Sequence, residues 1–265
     1  MITIIPKPTD IPSDNSTRMV MDELDLMGYP YQVRFLEALD PFSDDLKGST
    51  IWACGIRQNG CNFESLQALS LMNRVVNSPQ SIVTCASKVM TSALLIKHKV
   101  PTPTTFFTES RTLAGRFVIE HHKAVSKPVY GFDGVGIHLV TKEEELGEPP
   151  YYLQEYILND RDFRVFVIGD RAVGAIMRVS DHLTHNIHQG GCGSAIEIPR
   201  QMEEIAVRAA QCVGVDYGGV DLLINNDSYV VLEVNGTPNW HCMEAPIPRL
   251  LAEYLIKQDM TGRSG

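Results

Sequence analysis

Three side chains with oxygen donors occupy matching places on two apolar segments late in the chain. Glu233 and Asn235 are two residues apart in "VVLEVN", so on a β-strand both would point to the same face. Asp227 lies six residues after Asp221 and six before Glu233, and a hairpin folded about it brings Asp221 opposite Glu233. Carboxylate and amide oxygens are ligands that Mg²⁺ prefers. The pattern indicates a metal site, with solvated strand ends as the plain alternative.

A lysine followed by a cluster of glycines is a second candidate. Lys127 ends an apolar segment in "SKPVYGFDGVGI". The glycines after it are Gly131, Gly134 and Gly136. Glycine lets backbone N–H groups approach a phosphate, and lysine supplies a positive charge. The string is neither a Walker loop, because no Gly-Lys-Ser/Thr follows, nor a Rossmann fingerprint, because the spacing differs and no helix follows. It indicates either a phosphate-binding loop or an ordinary flexible one.

Charged and polar residues next to apolar strands give further candidates. The segment "LQEYI" at 153–157 is either a plain core strand or a strand whose backbone pairs with the edge of an adenine. Asp162 and Arg164 begin the next strand. Arg178 lies where another apolar strand leaves the core, which is more often the place of a surface arginine.

A histidine-rich segment, "HLTHNIHQGGCG", invites comparison with zinc sites through His182, His185, His188 and Cys192. The three-residue spacing fits neither a helix face nor a strand face, and Gly190–Gly191 indicates a loop. We expect instead a polar loop over an anionic ligand, with Asn186 and His188 pointing inward. A structural zinc module stays the weaker alternative.

Apolar runs and turn residues predict the elements that carry these side chains. Strands are expected at 2–5, 31–36 and 50–56, and helices near 16–27 and 62–73. This alternation predicts a small α/β unit with a parallel sheet over about the first 80 residues. A helix ended by Pro101 follows, and 104–140 is expected to form strands and loops.

Two hairpins and two helices are predicted for the remainder. Gly169–Asp170 marks the turn of the first hairpin, and the second turns at Asp227. Pro199 and Gly214 bound a helix between them. "PIPRLLAEYLIKQ" predicts a short last helix.

Composition excludes several classes of protein. The chain has 265 residues, 44% of them hydrophobic and 21% charged, which is typical of folded globular proteins. The net charge of −9 argues against general nucleic-acid binding. No apolar run reaches a membrane-spanning length, and the start does not resemble a signal peptide. The six cysteines form no C-x-x-C pair, so reduced thiols in a cytoplasmic protein are expected.

Taken in order, these segments are similar to the ATP-grasp ligases, specifically to the RimK-like glutamate ligase group. The similarity runs from about residue 85 to 245 and is carried by Lys88, "KPVYGFDGVGI", "LQEYI", "DFR", "RVSDHLTHNIHQGG", "GGVDLL" and "LEVNGTPNW". It implies an α/β (α+β) chain with the ATP-grasp fold and an N-terminal α/β pre-ATP-grasp domain. The implied units are 1–84, the N-terminal domain; 85–150, the central subdomain with a glycine-rich lid loop; and 151–265, the C-terminal subdomain with the metal site.

The resemblance also implies roles for individual residues. Lys88 and Lys127 would hold ATP phosphates beneath the glycine loop. Around the nucleotide it implies Glu155 and Tyr156 beside the adenine, Asp162 on the ribose, and Asn186 as a further ATP contact. Asp221, Glu233 and Asn235 would bind one or two Mg²⁺ ions, with Mn²⁺ as an alternative. Arg178 would stabilise the oxyanion of the tetrahedral intermediate.

The reaction implied is amide formation from a carboxylate and an amine through an acyl phosphate. Glutamate is the expected amine, and a small cofactor or a peptide is the expected carboxylate acceptor. The rivals are a ligase for another amine and a nucleotide-binding protein without turnover. One departure from the family pattern is Thr184-His185-Asn186, where relatives carry Arg-Ser-Asn. The number of copies in the assembly is left open between monomer and homo-oligomer.

Overall fold

The computed structural model describes residues 1–7, 15–56, 60–131, 134–179, 192–240 and 243–262. Three sheets, of four, four and five strands, carry most of this structure.

The first sheet is parallel throughout, as the sequence predicts. Its strands are β1 (Ile2–Ile5), β2 (Tyr31–Val33), β3 (Thr50–Ala53) and β4 (Arg74–Val76). Helices α1 (Ser16–Leu26) and α2 (Cys61–Ser70) pack on opposite faces. The strands β2 and β3 end earlier than predicted, and short 3₁₀ turns at Leu36–Ala38 and Asp44–Leu46 lie between them.

A pair of short helices leads out of this sheet. Helix α3 (Pro79–Ala86) begins after Ser78, whose side chain accepts from the Ser81 amide. Ser87 ends α3 and caps α4 (Lys88–Lys97) by accepting from the Met90 amide. Because Ser87 caps α4 directly after α3 ends, Lys88 lies in the first turn of α4.

The second sheet is antiparallel and has a helix on one face. Its strands are β5 (Thr105–Thr108), β6 (Ala124–Lys127), β7 (His138–Val140) and β8 (Tyr151–Glu155). Helix α5 (Arg111–His121) buries Ala114, Phe117 and Val118 against it. The expectation that 104–140 holds only strands and loops was wrong here. The apolar periodicity of α5 is weak, so its helical state depends on packing against the sheet.

The third sheet is antiparallel and carries the candidate site. Its strands are β9 (Arg161–Ile168), β10 (Arg171–Val179), β11 (Cys192–Ala195), β12 (Tyr217–Asn225) and β13 (Ser228–Asn235). Both predicted hairpins, β9–β10 and β12–β13, are confirmed. Helix α6 (Arg200–Val213) covers one face and ends at Gly214, which adopts the left-handed conformation. The opposite face carries the candidate site beside apolar residues such as Phe166 and Tyr217, which pack in the core shared with the first sheet.

The last helix returns to the beginning of the chain. Helix α7 (Ile247–Gly262) buries Leu251 and Leu255 in one core with Ile4 and Leu24. This core also links the first and third sheets, where Trp52 Nε1 donates to Tyr217 Oη at 3.2 Å. Helix α7 thus packs with the first sheet, although it follows the third sheet in sequence.

Within the described ranges, no helix combines the length and the apolar character that crossing a membrane requires.

Candidate active site

A row of charged side chains crosses the face of the third sheet opposite α6. The register pairs Arg164 on β9 with Asp221 on β12, and Asp221 with Glu233 on β13. Gly219 and Asn235 are paired in the next row on the same face. The predicted opposition of Asp221 and Glu233 is therefore confirmed by the register.

Two arginines contact Asp221. Arg164 donates from Nε to Oδ1 and from Nη2 to Oδ2, both at 2.8 Å. Arg178 Nη2 lies 3.1 Å from Oδ2. Burial disfavours the charge of Asp221, but the guanidiniums of Arg164 and Arg178 outweigh it and hold the pKa of this carboxyl below its usual range. Asp221 is thus a carboxylate at any physiological pH.

The predicted catalytic arginine is buried between two acids. Arg178 donates from Nε and Nη2 to the two oxygens of Asp162, at 2.6 Å and 2.9 Å. Burial opposes the charge of Arg178, yet Asp221 and Asp162 raise its pKa above the usual range. Burial also raises the pKa of Asp162, against the effect of Arg178. Asp162 therefore holds Arg178 in place, and its predicted contact with the ribose stays untested.

The chemistry of the three candidate metal ligands fits a hard cation. Each carboxylate oxygen has two acceptor sites. On Asp221, Oδ2 faces nitrogens of two arginines and Oδ1 faces one, so Oδ1 retains acceptor capacity. Asn235 Nδ2 lies 3.4 Å from Glu233 Oε1 and 3.5 Å from the Gly219 carbonyl, so its Oδ1 points away from both. Asp221, Glu233 and Asn235 together would offer Mg²⁺ only oxygen ligands.

The predicted phosphate-binding lysines face this row. Lys88 Nζ lies 3.5 Å from Glu233 Oε2 and donates to the Gly131 carbonyl at 3.4 Å. Lys127 Nζ donates to Gln154 Oε1 at 2.6 Å. Burial lowers the pKa of Lys127 to about 8, while Glu233 acts in the opposite direction. The structure therefore brings one candidate phosphate ligand, Lys88, into contact with a candidate metal ligand.

The glycine loop has the backbone that glycine allows. Gly134 and Gly136 have φ angles of 75° and 78°, which other residues adopt at a cost. At Gly131 a Cβ atom would stand 2.8 Å from Pro128 Cγ. All three predicted glycines are thus required by local geometry. Residues 132–133 between them lie outside the described ranges.

Glu155 ends strand β8 and Tyr156 follows it, and the backbone N–H groups of both residues are already hydrogen-bonded. The Glu155 N–H donates to the Thr104 carbonyl at 2.9 Å, and the Tyr156 N–H donates to the Lys123 carbonyl at 3.2 Å. Glu155 Oε1 also accepts from the Thr104 amide at 2.9 Å. Contacts of these two residues with adenine stay a prediction, and their N–H groups are not the donors that would make them.

A comparison with protein families decides the identity of this arrangement. The family described as the RimK-like ATP-grasp domain matches residues 85–258. The chain belongs to the RimK-like ATP-grasp family. It is therefore an ATP-dependent ligase that forms amide bonds, and the predicted ATP-grasp fold is confirmed.

Three relatives of this RimK-like ligase have informative names. It is 33% identical over 231 residues to tetrahydromethanopterin:alpha-L-glutamate ligase of Methanocaldococcus jannaschii, covering 79% of this chain and 75% of that one. It is 31% identical over 200 residues to a probable alpha-L-glutamate ligase of Haemophilus ducreyi, covering 69% and 66%. It is 32% identical over 196 residues to beta-citrylglutamate synthase B of Danio rerio, covering 67% and 48%.

Two solved structures share the fold. The ATP-grasp ligase PsnB, complexed with a precursor variant, Mg and ADP, has a TM-score of 0.77 and 22% identity, covering 97% of this chain and 98% of that one. D-alanine–D-alanine ligase from Bacillus anthracis has a TM-score of 0.72 and 15% identity, covering 99% and 98%.

Several predicted site residues of the RimK-like ligase lie outside the described ranges. Asn186 and the histidines His182, His185 and His188 lie in residues 180–191, and the side chain of Cys192 is also undescribed. Among the residues that are described, no group of three or more His, Cys, Asp and Glu could hold a metal. The candidate magnesium site differs from such a group because its third ligand is an amide.

Residues without a predicted role also line this RimK-like site. Arg164 was visible in "DFR", but nothing local pairs it with Asp221, which lies 57 positions later. Gln154 is buried, accepts from Lys127 and donates to Thr105 Oγ1 at 3.0 Å. Within the described ranges, Asn159 Oδ1 is buried without a hydrogen-bond partner. A polar residue two positions after the apolar "LQEYI" run was the one available signal for Asn159.

Proposed function

We propose that this RimK-like ligase activates a carboxylate with ATP as an acyl phosphate and joins it to the amine of L-glutamate. The names of the relatives from Methanocaldococcus jannaschii and Haemophilus ducreyi, both glutamate ligases, support glutamate as the amine. A small molecule or a peptide carboxylate is the proposed acceptor, since the relatives include small-molecule ligases and PsnB was solved with a precursor.

The observation that carries this proposal is the contact between Lys88 and Glu233. Their charged atoms are 3.5 Å apart, although one comes from α4 and the other from β13. A lysine in contact with a metal-binding carboxylate is well placed to bind a phosphate that also contacts the metal. The lysine and the metal would then both neutralise the negative charge of that phosphate. ATP bound together with a cation would satisfy this requirement.

We assign the ligands accordingly. Lys88 and Lys127 contact the phosphates, and the glycine loop covers them. Asp221, Glu233 and Asn235 would hold Mg²⁺, and Mn²⁺ could replace it. When bound, the cation would neutralise negative charge on the ATP phosphates. The remaining steps rely on positioning and charge, so no general base is needed at the metal ligands.

Arg178 has a donor in reserve for the reaction. Its Nε and Nη2 are held by Asp162 and Asp221, whereas the described contacts leave Nη1 for a substrate. The acceptor carboxylate oxygen attacks the γ-phosphorus and ADP leaves. The amine nitrogen then attacks the acyl carbon, inorganic phosphate leaves, and the amine proton passes to solvent. Arg178 stabilises the oxyanion formed at the acyl carbon.

The cytoplasm is the proposed compartment. The cysteines Cys61, Cys85 and Cys212 are free thiols, which is typical of a reducing compartment.

ADP release with panels of amines and carboxylates tests the proposal. With ATP and Mg²⁺ present, release should require both L-glutamate and one class of acceptor, and mass spectrometry should show a product heavier by one glutamyl residue. D-Glutamate and L-glutamine serve as matched controls. Release that depends on another amino acid would replace glutamate in the proposal, and nucleotide binding without release under any combination would contradict it.

A further inference from the structure

Arg164 occupies a place in the active site for which neither the family resemblance nor the relatives' names assign a role. It lies on β9 directly opposite Asp221, which in turn lies opposite Glu233. The positive charge therefore stands in line with two carboxylates on neighbouring strands. Two carboxylates this close would otherwise repel each other, and one would resist ionising.

The contact between Arg164 and Asp221 fixes the orientation of the carboxylate. Both guanidinium nitrogens lie 2.8 Å from their oxygens, so the two planar groups are held side by side. Side-chain exposure is 17% for Arg164 and 4% for Asp221, which keeps competing water away. A lysine would neutralise the charge but could not hold both oxygens, because an ammonium is a single point charge.

Arg178 cannot provide the same constraint. Its Nε and Nη2 form the paired contact with Asp162, and only Nη2 also reaches Asp221, at 3.1 Å on Oδ2. Oδ1 of Asp221 therefore receives its guanidinium contact from Arg164. The same oxygen keeps acceptor capacity for a cation, so the direction in which it points depends on Arg164.

Gly219 makes room for this arrangement. A Cβ atom at Gly219 would stand 3.4 Å from Arg164 Cδ and 3.1 Å from Pro238 Cβ. Gly219 is also the cross-strand neighbour of Asn235. The stem of Arg164 thus lies against Gly219, between the rows that carry the three oxygen ligands.

We propose that Arg164 is a positioning residue that orients the Asp221 carboxylate so that Oδ1 completes a cation site with Glu233 and Asn235. The inference rests on the proposed function only in taking these three residues as metal ligands. Arg164 acts through Asp221 and does not itself touch the substrate.

Metal binding, measured apart from turnover, tests the role of Arg164. Mn²⁺ is titrated into the protein with saturating ADP and followed by electron paramagnetic resonance. ADP binding is measured separately by calorimetry in EDTA. In Arg164→Met the Mn²⁺ dissociation constant should rise by about 10- to 100-fold, as for other residues that orient metal ligands. Metal-free ADP binding should stay within about twofold, because it does not use Asp221.

Two further variants complete the test. Arg164→Lys keeps the buried charge, so it should fold even where Arg164→Met does not. Its Mn²⁺ dissociation constant should lie between those of the wild type and Arg164→Met. Arg161→Lys, on the same strand but exposed and paired with Asp160, is the matched control and should bind Mn²⁺ normally.

Unchanged Mn²⁺ affinity in folded Arg164→Lys would overturn the inference. Equal weakening of Mn²⁺ and metal-free ADP binding would overturn it as well, because Arg164 would then be a nucleotide contact. These outcomes concern the variants relative to the wild type. Wild-type protein that binds Mn²⁺ but forms no amide would contradict the proposed function and leave the role of Arg164 decided by the titration.

Discussion

Lys88 Nζ lies 3.5 Å from Glu233 Oε2, which joins helix α4 to the last strand of the third sheet. The pair stands where the candidate phosphate ligands meet the candidate metal ligands. Changes on either side should therefore alter nucleotide and metal binding together, and the separate roles need variants that affect one side at a time.

Glu233→Ala should abolish amide formation while leaving the fold intact. The Glu233 side chain is 35% exposed and contributes little packing, but it is one of three proposed metal ligands. ADP release gives the activity, and thermal unfolding gives the stability. Asp227→Ala, an exposed acid in the turn of the same hairpin, is the control and should behave like the wild type. Near-normal ADP release in Glu233→Ala would contradict the metal assignment.

Lys127→Ala should weaken ATP binding by about tenfold or more, since a hydrogen bond to a charged group contributes about 1.5–3 kcal/mol. Calorimetric titration with ATP measures this. Lys142→Ala removes an exposed lysine that pairs with Glu145 and should leave the affinity unchanged. Equal ATP affinities for Lys127→Ala and the wild type would reject a phosphate contact.

ATP affinity should fall as the pH rises through about 8. Burial lowers the pKa of Lys127 to about 8, so its ammonium is charged below that pH and neutral above it. Phosphates favour the charged form, and ATP binding near pH 8 should therefore take up protons.

Calorimetry in buffers of different ionisation enthalpy measures this proton uptake. Lys127→Arg should remove it, because a guanidinium stays charged to above pH 12. Proton uptake of the same size in Lys127→Arg would assign the effect to another group.

Arg178→Ala should slow amide formation more than it weakens ATP binding, because its charge is needed chiefly when the oxyanion develops. The structure adds a cost in stability. Removal of Arg178 takes away the cation that the buried carboxylates of Asp162 and Asp221 share. Loss of one member of a buried ion pair lowers the free energy of unfolding by about 3–5 kcal/mol.

Single-turnover rates, ATP titration and chemical unfolding separate these effects in Arg178→Ala and in Arg178→Lys, which keeps the charge. Arg178→Lys should recover most of the stability and less of the rate. Equal losses of ATP binding and rate would make Arg178 a phosphate anchor.

Oxygen-18 placed in the acceptor carboxylate should appear in inorganic phosphate. The acyl-phosphate route transfers one carboxylate oxygen to the phosphoryl group, with ADP as the nucleotide product. Mass spectrometry of phosphate and chromatography of the nucleotides give the answer. AMP and pyrophosphate as products would place the ligase among adenylating enzymes.

Local sequence determined much of this protein. Turn residues and alternating apolar residues predicted both hairpins of the third sheet. Next to the turn Leu222 pairs with Val231, which continued would set Asp221 opposite Leu232, and a register shift between Asp221 and Leu222 sets it opposite Glu233 instead. The pairing of strands joined by a short turn follows from nearby residues, so a local pattern suffices. The positive φ angles of Gly134 and Gly136 are likewise a local property, because glycine adopts them without the steric cost that a Cβ atom brings.

Tertiary structure decided the partners of the charged groups. Arg164 and Arg178 could have been surface residues by their sequence context, and only the order β10-β9-β12 brings both of them to Asp221. Helix α5 was missed because its apolar pattern is weak and the sheet beneath it supplies the stabilisation. Helix α7 packs on the first sheet, because the apolar side chains that bury it, such as Ile4 and Leu24, come from the other end of the chain. Such contacts depend on segments far apart in sequence, and no local pattern specifies which distant face they will meet.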